Sequence, residues 1–261
     1  MITKIKKHIP VILLLSPGFI LLLTFVHIPV VKTIYMSFFS TPKGRKPSKF
    51  KGIENYEHMF SDPIFWKVMS NNIVYAISTI PSSIIIAIIM AQWVNSKLPG
   101  RPLLRFAYFL PVVLPLIAVG NIWLFFFLPG FGLIDQVGSL FGFQNTNILG
   151  NPDQVLWGII AVSIWKESGF YMIFFLAALQ GIPREMKEAA IIEGANSWQM
   201  FYKITLPMIT PTLLFVSVNA VITAFTRIEH LFTMTGGGPN YNSALLLYYI
   251  YENGFEFWDT A

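Results

Sequence analysis

An all-α polytopic membrane protein is the fold class that this sequence predicts, and three observations predict it. Of 261 residues, 54% are hydrophobic and only 12% charged, a balance outside that of soluble domains. Several apolar runs reach the roughly 20 residues that cross a hydrocarbon core of about 30 Å at 1.5 Å per residue. The charged residues fall mainly in the connections between those runs. One helical membrane domain is expected to occupy residues 1–261, with no internal repeat and no low-complexity segment.

The first span is read over residues 11–40. A basic stretch, MITKIKKHIP, precedes it, as in a signal peptide. The run outlasts a signal h-region, however, and no small-residue cleavage site follows, so a retained helix is expected. Pro17 and Pro29 are candidate kinks, which neighbouring helices accommodate in a membrane. A polar segment with Lys43, Arg45, Lys46, Lys49 and Lys51 follows. Tyr56, Phe60, Phe65 and Trp66 next suit either a segment at headgroup level or an ordinary surface loop.

Further spans are expected at 68–94, 105–128, 152–180 and 206–227. Asn151 before Pro152, with Asp153 in the first turn, marks the start of the fourth. The apolar run from Ala244 to Tyr251 is too short for a sixth. Lysine and arginine placement puts the N-terminus on the cytoplasmic side. That side then receives Lys4, Lys6, Lys7, Lys97, Arg101, Arg105, Arg184, Lys187 and Lys203, while the 129–151 loop receives none. The lysine cluster of the first outer loop departs from the rule.

Several chemistries are excluded. The net charge of +5 is not gathered into a basic stripe with interleaved aromatics, so no nucleic-acid groove is expected. There is no cysteine, and His8, His27, His58 and His230 are scattered, so no metal site is expected. Gly236-Gly237-Gly238 lacks the Lys-Ser/Thr and the preceding strand of a phosphate loop; its residue types read as a flexible outer turn. No acid, base and nucleophile share a sensible spacing, so no catalytic residue, no cofactor and no enzyme activity is expected.

The fourth span carries Lys166 and Glu167, and a charge at the centre of a membrane helix costs about 2.5–3.5 kcal/mol on insertion scales. Adjacent residues diverge by about 100° around a helix, so the two are expected not to enter one narrow site. Structural pairing and substrate contact both remain open. Arg227 and Glu229 read as gate or interface residues. Hydroxyl-rich solutes need hydrogen-bonding groups and flat aromatic faces, which Asn121, Trp123, Trp165, Tyr171, Asn219 and Thr223 could supply; interhelical packing serves the same residues equally well.

The most distinctive stretch is EAAIIEGANSWQMFYKITLP, residues 188–207. Gly181-Ile182-Pro183 ends the fourth span, and Pro183 suits the first position of a new helix with Glu185 in its first turn. Gly194 is a natural left-handed terminator, and Ser197 is a good N-cap for a second short helix ending at Leu206-Pro207. Ala189 and Ala190 permit close approach, Glu188 offers a carboxylate, and Ile191, Ile192 and Trp198 add apolar area. A docking knob and a connector packed on its own bundle are the two readings.

The spacing of Glu188, Ala189, Ala190, Gly194, Ile204, Leu206 and Pro207 resembles the EAA motif of the inner-membrane permease subunits of binding-protein-dependent ABC importers. Other stretches are similar to the carbohydrate-uptake permeases of the maltose and glycerol-phosphate type. They include Thr235 to Pro239, Leu247 to Tyr251, Asn55-Tyr56, Asp62-Pro63, Phe131 to Ile134, and Leu176 to Pro183. The resemblance implies the type I ABC importer transmembrane fold, with residues 183–205 as a cytoplasmic coupling loop on a separate ATPase. It also implies a second permease subunit, an extracytoplasmic sugar-binding protein touching Gly236, Gly237, Gly238 and Pro239, a lipid bilayer around the chain, and a sugar or polyol as substrate. Such subunits finish with a sixth span, so five of an expected six are visible; a chain of five would place its C-terminus outside. The alternative is a stand-alone secondary transporter, to which Lys166 and Glu167 would be central.

Overall fold

The structure is a computed structural model that describes residues 2–41, 47–96, 99–142 and 147–258, with side chains from Val11 onward. Lys43, Arg45, Lys46, Lys97, Asp259, Thr260 and Ala261, and the side chains of Lys4, Lys6 and Lys7, lie outside that set. The chain forms two compact units, residues 1–63 with 251–261 and residues 64–250. No strand forms among the described residues beyond one isolated bridge, between Phe39 and Phe50.

The first unit opens with α1 (Ile2–Leu22), which passes through a π turn at Leu23–His27 into α2 (Ile28–Met36). The wider turn falls just before Pro29, whose missing N–H cannot close an α-helical bond. None of the described side chains from Val11 to Met36 is buried. An apolar helix exposed all round suits lipid as its solvent. After it the Asn55 side chain donates to the carbonyls of Ser37 and Phe39 at 2.8 and 2.9 Å. The Ser37 and Tyr56 hydroxyls meet at 2.6 Å, which ties the short helix α3 (Glu54–Ser61) to the preceding turn.

In the second unit α4 (Pro63–Asn95), α8 (Val155–Gln180) and α11 (Leu206–Thr226) supply the long helices. Helix α8 is apolar around most of its circumference, and two thirds of its most apolar window is buried, 67% against 39% for α4. It is therefore the central post. Its first half packs in one core with Val68, Val119, Leu231 and Leu245. Its second half packs in another with Ala87, Ala91, Ile209 and Val216. Small residues of α4, Ser83, Ala87 and Ala91, recur every fourth position on its buried face, and such residues let membrane helices approach closely.

Among the described residues four stretches are long and apolar enough to cross a membrane: Val11–Met36, Pro63–Asn95, Val155–Gln180 and Ser197–Met234. The span expected at 105–128 is instead two helices, α5 (Arg101–Val113) and α6 (Leu116–Phe126), bent by 103°. Pro115 forces Leu114 into an extended conformation (φ −72°, ψ 132°). Counted as one, this broken pair makes a fifth span.

Two helix starts also differ from expectation. Residues 152–154 form a turn, with the Asn151 carboxamide accepting the Asp153 N–H at 3.0 Å, so α8 begins at Val155. The fifth span does not begin at Leu206. Helix α10 (Ser197–Met200) runs without a break through a π turn at Phe201–Thr205 into α11, the turn again falling just before a proline, Pro207. Smaller helices complete the unit: α7 (Leu133–Ser139), α9 (Arg184–Ile192), α12 (Glu229–Met234) and α13 (Leu246–Tyr251), the last passing into a π turn at Glu252–Glu256.

Candidate functional site

The elbow between α8 and α11 is built by local rules. Pro183 sits just outside α9 (φ −56°, ψ 139°), one position earlier than the first helical place expected for it. Gly194 takes φ +79°. Its N–H reaches the Ile191 carbonyl at 3.0 Å, and the Ala195 N–H reaches the Ala190 carbonyl at 2.9 Å. This paired closure stops a helix where only glycine enters the left-handed region without strain. The next helix is capped by Asn196 rather than Ser197. Asn196 Oδ1 accepts the Gln199 N–H and Gln199 Oε1 accepts the Asn196 N–H, both at 2.9 Å, a reciprocal capping box.

This scaffold turns apolar groups outward. Ile192 is 86% exposed and Trp198 71%, and Trp198 stacks on Tyr202 with centroids 5.7 Å apart. Glu188 and Ala189 are exposed while Ala190 is buried, so the two alanines face opposite surroundings. Ile204 and Leu206 are half-buried and Pro207 is exposed. The tip is an exposed apolar patch on a capped turn that the rest of the chain does not cover.

A second constellation lies inside the helices. Lys166 Nζ donates to the carbonyls of Pro111 and Leu114 at 2.9 and 2.8 Å. These acceptors belong to the break between α5 and α6, and an apolar medium leaves no other cheap partner for them. Glu167 Oε1 accepts from Arg227 Nη1 at 2.9 Å. Contrary to the angular expectation, Lys166 and Glu167 line one cleft of about 340 Å³, with Arg227, Glu229 and an apolar wall that includes Phe170. Two positive and two negative side chains leave that cleft formally neutral.

The residues proposed for sugar contact are distributed. Trp123 and Trp165 meet edge to face at 5.4 Å. Tyr171 and Thr223 share a small inner cavity. Asn121 and Asn219 each bond a carbonyl of their own helix, Ile117 and Phe215, at 3.2 and 3.0 Å.

The glycine turn is not loose. Gly236 and Gly237 adopt φ +53° and +77°, and the Gly238–Pro239 bond is cis. The Tyr248 hydroxyl donates to the Gly236 carbonyl at 2.8 Å, and Ser243 Oγ donates to the Gly238 carbonyl at 2.7 Å. A Cβ on Gly237 would lie 2.6 Å from the Tyr248 ring. Residues of α4 hold the following loop: Lys67 donates to Asn240, Asn71 to Tyr241 and Ala244, and Asn72 accepts the Leu246 N–H.

The sequence reading missed a buried relay. The Tyr75 hydroxyl donates to Ser163 Oγ at 2.9 Å, and Ser163 meets His230 Nε2 at 3.1 Å. The polar residues were visible, but 88 and 67 positions separate the partners, and no local pattern signals such a pairing.

Residues 83–247, which hold the elbow, the cleft and the glycine turn, match the family of binding-protein-dependent transport system inner membrane components. The chain belongs to this family. The permease is 34% identical over 249 residues to the sulfoquinovosyl glycerol transport system permease protein SmoG of Agrobacterium fabrum, covering 95% of this chain and 81% of that one. It is 32% identical to the multiple sugar-binding transport system permease protein MsmF of Streptococcus mutans, over 91% and 81% of the two chains. A chain of a bacterial ABC transporter involved in import of the acidic polysaccharide alginate shares the permease's fold, with a TM-score of 0.81 at 24% identity, covering 98% of this chain and 87% of that one. These matches favour an importer subunit over a stand-alone secondary transporter.

Proposed function

We propose that this permease is a pore-forming subunit of an ABC importer for a sugar or related polyol, working with a separate ATPase pair, a second permease and an extracytoplasmic binding protein. The observation that carries the reading is the elbow. Its tip offers Ile191, Ile192, Trp198 and Tyr202 to a partner, and its second helix continues unbroken into α11. The alginate importer related in fold has been crystallised with a pentasaccharide-bound periplasmic protein, which supports an outer-face partner here.

The mechanism follows from continuity. A partner gripping residues 184–205 moves α10, and α10 cannot move without α11. At the far end of α11, Arg227 is held by Glu167 of α8. Displacement of the elbow is thereby delivered to the cleft lined by Lys166, Glu167, Arg227 and Glu229, where hydroxyl groups of a neutral solute would find both donors and acceptors. On this reading the elbow and the N-terminus face the cytoplasm, the glycine turn faces the binding protein, and ATP is hydrolysed outside this chain.

Co-expression with the ATPase, second permease and binding protein, followed by reconstitution in liposomes, tests this. Sugar-loaded binding protein is expected to stimulate ATP hydrolysis and drive labelled sugar inward. ATPase that elutes separately from the permease, or uptake driven by an ion gradient alone, would reject the reading.

A further inference from the structure

Between α4, α8 and α11 lies an inner cavity, and Glu167 lines both it and the charged cleft. Its lining includes the polar side chains of Tyr75, Thr79, Ser83, Ser163, Tyr171 and Thr223 among apolar ones. Serine and threonine in a helix commonly return the hydroxyl to a carbonyl one turn back, as Thr79 does to Tyr75 and Ser163 to Ile159. Ser83 does not. It is 1% exposed, and its Oγ completes no hydrogen bond within the chain. On the other wall Glu167 is 9% exposed. Arg227 donates to one of its oxygens, the Tyr171 hydroxyl lies within hydrogen-bonding reach of the carboxylate, and Oε2 keeps no hydrogen bond of good geometry within the chain.

Buried polar atoms are ordinarily paired, and a carboxylate oxygen is the costliest to leave bare. The cavity offers about 10 Å³ to the centre of a small molecule, which is the room of one water, and a water needs two to four polar partners. We propose that this cavity binds one ordered water molecule, which donates to Glu167 Oε2 and bridges to Ser83 Oγ. A metal cation is disfavoured because Arg227 already neutralises Glu167 and the Lys166 ammonium stands beside it. The bound water keeps the inner oxygen of Glu167 solvated, so the Glu167–Arg227 pair can open as the helices move without leaving a dry carboxylate.

Hydroxyl-radical footprinting by X-ray radiolysis, read by mass spectrometry on the complex in lipid nanodiscs, tests the site without depending on transport. Radiolysis of a bound water labels side chains beside it, however inaccessible they are to bulk solvent. Tyr171, 2% exposed, is expected to be labelled well above Phe175, 0% exposed and one turn along the same helix. Ser83→Val, which removes a partner and fills the space, should abolish that excess. Tyr171 labelling no greater than that of Phe175, or an excess that survives Ser83→Val, would overturn the proposal. If Ser83→Val does not assemble, the comparison of Tyr171 with Phe175 in the unaltered protein decides alone. Labelling should be the same in sodium and in choline buffers; suppression by sodium would replace the water with a cation.

Discussion

In the elbow, Ile191, Ile192 and Trp198 stand exposed on a turn closed by Gly194 and Asn196, whereas in the cleft Lys166 and Glu167 are buried and bonded to α5 and α11. The two regions lie within 40 residues of each other, yet their side chains are satisfied in opposite ways. In the cleft Lys166, Glu167 and Arg227 each have a partner inside the chain. In the elbow the turn between α9 and α10 is capped on both sides while Ile191, Ile192 and Trp198 are left without cover. The elbow leaves apolar area that the rest of the chain does not cover, whereas the cleft holds most of its charge with bonds from within the chain.

That comparison makes graded predictions, each of which separates folding from assembly. Arg227→Met leaves the Glu167 carboxylate without its cation. Breaking a buried pair costs about 3–5 kcal/mol, and because the Arg227 side chain keeps 43% exposure the low end, about 3 kcal/mol, is expected. Thermal unfolding of the purified permease should show the loss. An unchanged midpoint would mean that the cleft is not held from within.

Gly237→Ala drives a methyl into the Tyr248 ring at a positive φ. Overpacking costs about 1–3 kcal/mol, so a loss of about 2 kcal/mol is expected by the same assay, and it should be accompanied by weaker capture of the binding protein. Asn196→Ala removes the cap of α10 and should cost about 1 kcal/mol, read as a small fall in midpoint with a larger fall in coupled ATPase rate. Gly194→Arg puts a side chain on the left-handed position, where nothing lies within 4 Å. Membrane insertion should survive while sugar-stimulated ATP hydrolysis is lost; retained coupling would sink the lever mechanism.

Trp198→Ala has the smallest expected effect on the fold, within about 0.5 kcal/mol for an exposed site. It should nevertheless abolish co-elution with the ATPase. If Trp198→Ala destabilised the isolated permease as much as Arg227→Met does, the contrast between the two regions would fail.

Much of this was legible without coordinates because it is local. The apolar runs that form α4 and α8 and the left-handed stop at Gly194 each depend on residues within a few positions. Even there neighbours competed. Asn196 and Ser197 are both good caps, and Gln199 decided for Asn196 by returning a hydrogen bond three residues back. The bend at Leu114 was announced by Pro115, but a proline can kink a membrane helix slightly or break it outright. What allows a 103° break here is an ammonium more than 50 residues further along the chain. The glycine turn read as flexible because three adjacent glycines lower local stiffness. The hydroxyls of Tyr248 and Ser243 hold it, and no local rule places them there.

Composition and spacing alone determined that the chain is a helical membrane protein, where its long helices fall, and that a capped elbow interrupts them, because hydropathy, helix breaking and capping act over at most a few turns. Tertiary structure alone decided that Lys166 holds the broken helix, that Glu167 meets Arg227, and that Tyr171, Thr223 and Ser83 share one cavity. Those outcomes depend on which distant groups arrive at the same point, and a buried charge or hydroxyl is fixed by its partner rather than by its neighbours in the chain.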